Sequence, residues 1–123
     1  MKREIITTSD GSTTIHIPEW NEQYHSIHGA IQEANHVYIQ HGLNYKTTNE
    51  IAVLEIGFGT GLNSFMTFLE AQEKKLFIEY VGVEAYPILE EELLKLNYVA
   101  ELDATPFTKI FESFHSCSWE EKH

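Results

Sequence analysis

Apolar residues change their spacing twice along this chain, and each change marks a different kind of element. Glu4-Ile5-Ile6-Thr7 and Thr13-Thr14-Ile15-His16-Ile17 are short and rich in β-branched residues, which predicts two strands. Asp10-Gly11 between them tolerates the positive φ of a hairpin turn, and Pro18 closes the second strand. From Ser26 the period becomes helical, with Ile27, Ala30, Ile31, Ala34 and Val37 forming one stripe. Ser26 suits the N-cap of that helix and Gly42 its end, and 44–50 reads as a polar connection.

Ile51-Ala52-Val53-Leu54-Glu55-Ile56 is almost continuously apolar, as expected of a strand covered on both faces in a parallel sheet. A helix follows from about Leu62, with Leu62, Phe65, Met66 and Leu69 on one side. A further strand runs from Phe77 to Glu84, and Pro87 is placed as the first residue of another helix. That helix turns Leu89, Leu93 and Leu96 inward and leaves Glu90, Glu91 and Glu92 mostly solvated. Beyond Asn97 the pattern weakens, with Phe107, Ile110, Phe111 and Phe114 as one more helical stripe. Strand, helix, strand, helix is the grammar of a doubly wound α/β fold.

Between the apolar strand and its helix lies Glu55-Ile56-Gly57-Phe58-Gly59-Thr60-Gly61-Leu62-Asn63. A chain reversing at a strand's carboxyl end needs backbone angles and close approaches that a Cβ obstructs, hence the glycines. The crevice at that point is where open α/β sheets bind ligands. Dinucleotide sites space their glycines Gly-x-Gly-x-x-Gly, with a helix N-terminus aimed at a pyrophosphate. Here the third glycine comes one residue early, and Leu62 takes the dinucleotide position. Gly-x-Gly-x-Gly after a strand bearing an acid is instead similar to the first motif of S-adenosyl-L-methionine methyltransferases, whose cofactor has no phosphate. Glu84 ends the next strand, 23 residues after Gly61, where a carboxylate can accept from both hydroxyls of a ribose.

Composition narrows the class. With 123 residues the chain holds one domain, and 42% hydrophobic and 12% aromatic residues are globular values. No apolar run reaches the roughly 20 residues of a membrane helix, no signal-peptide core follows the start, and Cys117 stands alone, so a cytoplasmic protein is expected. The net charge is −11, with three basic and six acidic groups in residues 1–50 and five against thirteen in 51–123. Such a balance argues against nucleic-acid binding by this chain alone.

Three blocks together narrow the reading: Asp10-Gly11-Ser12-Thr13-Thr14, Tyr24-His25-Ser26-Ile27-His28-Gly29-Ala30-Ile31-Gln32-Glu33, and the glycine stretch with its internal Phe58 and following Leu62-Asn63. With Val83-Glu84-Ala85-Tyr86-Pro87, they resemble the MnmC/MnmD type of tRNA methyltransferase domain over roughly residues 8–98. The resemblance implies a Rossmann-like methyltransferase fold, incomplete here, preceded by a small β-hairpin and a helix. It divides the chain into 1–50, the hairpin and helix, and 51–123, the first βαβα units of one partial domain. It also implies methyl transfer from S-adenosylmethionine to the amine of 5-aminomethyl-2-thiouridine in tRNA, giving 5-methylaminomethyl-2-thiouridine.

By the family pattern Glu55, Gly57, Phe58, Gly59, Thr60, Gly61 and Glu84 line the cofactor. Tyr24, Ser26 and Glu33 close over it or support its pocket. No catalytic residue is assigned. The family's later strand with an Asp-x-Phe-x-Pro motif, followed by Lys-Asn-Pro-Glu, has no counterpart after Val99; Asp103-Ala104-Thr105-Pro106-Phe107 has its acid, proline and aromatic in another order. A fragment inactive by itself is therefore expected, with tRNA as the family's partner. Self-association through an unpaired sheet edge is expected with it. The alternatives are a methyltransferase of another substrate and a non-catalytic cofactor-binding or interaction module. His25, His28, His36 and His41 match no zinc template, and neither Cys117 nor Ser12 and Ser26 sits in a nucleophile motif.

Overall fold

The computed structural model describes residues 2–45 and 48–117. It is a mixed α/β structure with two sheets. The first is antiparallel, in the order β1 (Glu4–Thr7), β2 (Thr13–Ile17), β3 (Glu22–Gln23). Ile5 faces Ile15 and Thr7 faces Thr13 across the first pair. β2 is central, with Thr13, Thr14, Ile15 and Ile17 buried and His16 half-buried. The two-residue β3, which the sequence did not announce, pairs through His16 and Gln23.

The turn joining β1 to β2 does more than reverse the chain. Gly11 takes φ +88°, as the Asp-Gly signal requires, and the side chains around it cap the next helix. That helix, α1 (Ala30–Glu33), continues as a π-helix over Ala34–Gln40. Its first donors would otherwise be orphaned. The N–H of Ala30 reaches Thr8 Oγ1 at 3.1 Å, that of Ile31 reaches Ser12 Oγ at 3.1 Å, and that of Gln32 reaches Asp10 Oδ2 at 2.9 Å. A side chain on Gly29 would strike Asp10. Burial pushes the Asp10 carboxyl up, but donors from Ser12, Gln32 and Thr8 outweigh it and hold it below its ordinary value.

This corrects the expected N-cap. Ser26 accepts from the N–H of His28 in a turn and does not cap the helix, which starts at Ala30. The stripe is corrected too. Ile27 precedes the helix and is exposed, and the wider π turn leaves Val37 exposed and buries Ile39 beside Ala30 and Ala34.

The second sheet is the parallel pair β4 (Glu50–Ile56) and β5 (Phe77–Val83), joined through α2 (Leu62–Lys74). Glu50 lies opposite Phe77 and Ile56 opposite Val83. α2 begins at the expected residue and buries Leu62, Phe65 and Met66. β4 is not covered on both faces. Ile51, Val53 and Ile78 join the core, whereas Leu54 is 66% and Ile56 76% exposed, with Phe77, Val81 and Val83 open beside them.

Pro87 does not open a helix. Leu89 is extended and exposed, and α3 (Glu90–Leu93), which starts after it, is a single turn. Glu92 is drawn from solvent into a 2.9 Å ion pair with Arg3. α4 (Tyr98–Glu101) and α5 (Thr108–Ser116) follow. Tyr98 and Phe111 enter the same core as Ala30, Leu62 and Phe65. Asn97 ties this segment to the hairpin, accepting from Thr13 N–H at 2.9 Å and donating to the Gly11 carbonyl at 2.9 Å. Among the described residues no helix is long and apolar enough to cross a membrane.

Candidate functional site

Where β4 ends, the chain turns through the glycine loop into α2. The N–H groups of Gly57 and Phe58 both donate to the Val83 carbonyl, at 2.7 and 3.0 Å, which fastens the loop to the end of β5. Gly57, Gly59 and Gly61 all have positive φ, at +86°, +59° and +78°. At Gly57 the surrounding space is open, so conformation is the demand; at Gly59 a Cβ would also press on the Tyr24 ring at 3.1 Å. Phe58 folds back over β5, where any side chain at Gly82 would collide with it at 2.7 Å.

A cavity of about 300 Å³ opens between this loop and the π-helix, at the lower end of the ~300–1,000 Å³ range for small-molecule sites. Seven of the ten residues expected to hold a cofactor line it: Tyr24, Glu33, Glu55, Gly57, Phe58, Gly59 and Thr60. The other three stand behind. Ser26 donates its N–H to Glu33 Oε1 at 3.2 Å, and Gly61 forms the αL start of α2. Glu84 accepts the Gly59 N–H at 2.7 Å and the Tyr86 N–H at 3.1 Å, one on each oxygen. A carboxylate has about four acceptor positions, so these two donors do not exhaust it.

Residues the sequence had not assigned complete the walls: His25, Ala34, Val37, Tyr38 and Asn63. His25 shares a 2.9 Å hydrogen bond between Nδ1 and Thr14 Oγ1, and burial lowers its pKa, so the ring stays neutral near pH 7. At the cavity floor Glu55 accepts from Tyr80 Oη at 2.6 Å and from Asn63 Nδ2 at 2.9 Å. Burial pushes the Glu55 carboxyl up. The Tyr80 and Asn63 hydrogen bonds pull it back without cancelling the rise, and Glu84 adds to it. Burial, then the bond to Glu55, drives the Tyr80 hydroxyl strongly upward, so it stays a donor. Arg3 steadies the rim, reaching Tyr24 Oη at 3.3 Å and the Tyr86 carbonyl at 3.0 Å.

The charge inside is one-sided. Among the described lining residues are two carboxylates, Glu33 and Glu55, and no Lys or Arg. Such a lining favours a ligand carrying positive charge and disfavours phosphate. Among the described residues no group of three His, Cys, Asp or Glu side chains could hold a metal ion.

No protein-family model matches the sequence. It is 31% identical to the tRNA 5-methylaminomethyl-2-thiouridine biosynthesis bifunctional protein MnmC of Burkholderia mallei over 88% of this chain and 17% of that protein. It is likewise 31% identical to the protein of that name from Leptospira interrogans, over 68% of this chain and 14% of the relative. The chain thus spans less than a fifth of either relative's length. Among solved structures, MnmC2 from Aquifex aeolicus superimposes with a TM-score of 0.63 at 30% identity, covering 72% of this chain and 31% of that one. The sequence relatives and the superimposed structure agree: the chain belongs to the MnmC/MnmD type of domain.

Proposed function

We propose that this chain forms the S-adenosylmethionine-binding part of a Rossmann-like methyltransferase domain that modifies the wobble uridine of tRNA. One observation carries the cofactor reading: a strand-end crevice with three positive-φ glycines, lined by two carboxylates and no Lys or Arg. S-adenosylmethionine is a phosphate-free nucleoside bearing a sulfonium and an ammonium, and a dinucleotide would bring a pyrophosphate into an acidic pocket without a cation to meet it.

In this reading Glu55 and Glu33 offer carboxylates to the cofactor's positive end, and Glu84 offers its remaining acceptor positions to the ribose. Gly57, Gly59 and Thr60 present backbone, Gly61 starts the helix, and Tyr24 and Phe58 supply aromatic wall. Ser26 holds Glu33 in place. When bound, the cofactor supplies an electrophilic methyl group. The MnmC relatives are named for 5-methylaminomethyl-2-thiouridine biosynthesis in tRNA, and on this reading the acceptor is the amine of a 5-aminomethyl-2-thiouridine. The chain's −11 charge counts against tRNA binding by these residues alone.

Calorimetry on the chain tests the cofactor half of this reading. S-adenosylhomocysteine, the demethylated product, is expected to bind and NAD to give no heat. Preferential binding of NAD would overturn the assignment. Labelled methyl transfer to aminomethyl-uridine tRNA by a full-length protein containing these residues tests the substrate half.

A further inference from the structure

Thr60 sits between two glycines in left-handed conformations, φ +59° and +78°, inside a turn closed by the Gly61 N–H on the Phe58 carbonyl at 3.1 Å. It is almost wholly buried, and its hydroxyl and its carbonyl are both taken. Its hydroxyl accepts from Tyr98 Oη at 3.1 Å, and its carbonyl accepts from His115 Nε2 at 2.8 Å. A carbonyl only accepts, so His115 carries its proton on Nε2 there. These two partners stand 38 and 55 residues further along the chain, on α4 and α5. Neither element belongs to the glycine motif.

The holders are themselves held. The rings of Tyr98 and Phe111 meet edge-on at 6.1 Å, those of Phe111 and His115 at 5.2 Å, and those of His115 and Phe58 at 5.4 Å. Gly61 makes room for this arrangement, since a Cβ there would lie 2.8 Å from His115 Nε2. The third glycine therefore serves two ends, the helix start and the entry of the imidazole. Glu84 grips the loop one residue earlier, through Gly59 N–H at 2.7 Å.

We infer that Tyr98 and His115 are positioning residues, a clamp from α4 and α5 that fixes Thr60 and so sets the cavity-facing shape of the glycine loop for cofactor binding. The inference rests on the cofactor reading only for its consequence in affinity; the clamp itself is a property of the loop. Packing alone would be satisfied by any ring of similar size at these two places. A clamp needs the donors.

The test separates ring from donor. In His115→Phe and Tyr98→Phe the rings stay and the hydrogen bonds go, and His115→Gln returns an N–H donor. Amide hydrogen exchange of the ligand-free chain is read at Gly59 and Gly61 against amides in the middle of α2. Each Phe variant is expected to raise loop exchange about tenfold, the net equilibrium weight of one lost hydrogen bond, with α2 protection unchanged. S-adenosylhomocysteine affinity falls by a similar factor, and His115→Gln recovers most of both. Unchanged loop exchange in both Phe variants overturns the clamp, as does a Gln variant no better than Phe. Should His115→Phe fail to fold, Tyr98→Phe carries the same decision. The exchange measurement uses no ligand, so it decides the clamp independently, and a parent chain that binds no S-adenosylhomocysteine counts against the cofactor reading alone.

Discussion

The two faces of the β4–β5 sheet invert the usual relation between burial and polarity. The face packed against α2 carries Ile51, Val53 and Ile78, but also Glu55 and Tyr80. The open face carries Ala52, Leu54, Ile56, Phe77, Val81 and Val83, with Glu79 and Glu50 as its polar members. By residue type the open face is the better core. Polarity on the covered face is concentrated at its carboxyl end, beside the glycine loop. A buried carboxylate is costly unless hydrogen-bonded, and Tyr80 and Asn63 supply Glu55 with those bonds. Burial alone would therefore misjudge both faces.

The largest expected effect comes from the covered face. Phe65 lies in the centre of the core, edge-on to Phe111 at 5.1 Å and stacked on Phe68. Phe65→Ala should cost about 3–5 kcal/mol of unfolding free energy, by transfer and cavity together. Urea denaturation measures this, and a cost under about 1 kcal/mol would mean the core is not packed as described.

Next in size is the polar end of that face. Tyr80→Phe removes a 2.6 Å donor from the half-buried Glu55 and puts nothing in its place. Losing a hydrogen bond to a charged acceptor should cost about 1.5–3 kcal/mol at pH 7. Glu55→Gln in the Tyr80→Phe background should recover part of this, because the uncompensated charge is then gone. Additive single and double variants would show that the pair does not interact.

Glu55 also gives the fold a pH dependence whose sign is fixed. Its folded carboxyl sits above the ordinary glutamate value because burial disfavours the charge. The folded state therefore binds this proton more tightly than the unfolded chain does. The resulting stabilisation is fully present below the ordinary carboxylate value and is lost as pH rises through the raised folded value. Stability of the parent chain should fall across that window, and Glu55→Gln should flatten the fall. A variant that keeps the parent's slope would place the responsible carboxylate elsewhere.

Much of this was legible because it is local. Asp10-Gly11, the strand before the glycines, the start at Leu62 and Glu84 at the next strand end are all set by residues within a few positions of where they act. What stayed hidden is long-range. The cap on α1 comes from Thr8, Asp10 and Ser12, a hairpin away, so Ser26 looked like the nearer candidate. The π-helix breaks the 3.6-residue period and exchanges Ile39 for Val37, which no periodic reading anticipates. Tyr98 and His115 lie where the pattern is weakest, and only the fold brings them to Thr60. The apolar run of β4 announced cover on both faces, and among the described residues only one face has it.

The smallest effect on stability, and the sharpest test of the comparison, belongs to the open face. Leu54 and Val81 are paired across the two strands, and both are more than half exposed. Replacing both by Thr puts β-branched residues that suit a strand at both positions while removing apolar surface from water. In a monomer whose face is open, the change should move unfolding free energy by no more than about 0.5 kcal/mol. Its visible consequence should lie elsewhere. An exposed apolar face beside a two-stranded edge is a template for association, and the substitutions should lower concentration-dependent self-association in sedimentation or light scattering. The −11 charge opposes association at low ionic strength, so the contrast between parent and variant should widen as salt screens it. If the double substitution instead costs several kcal/mol at a protein concentration where the chain is monomeric, Leu54 and Val81 are buried in solution. The two faces would then be alike, and the inversion that opens this comparison would not exist.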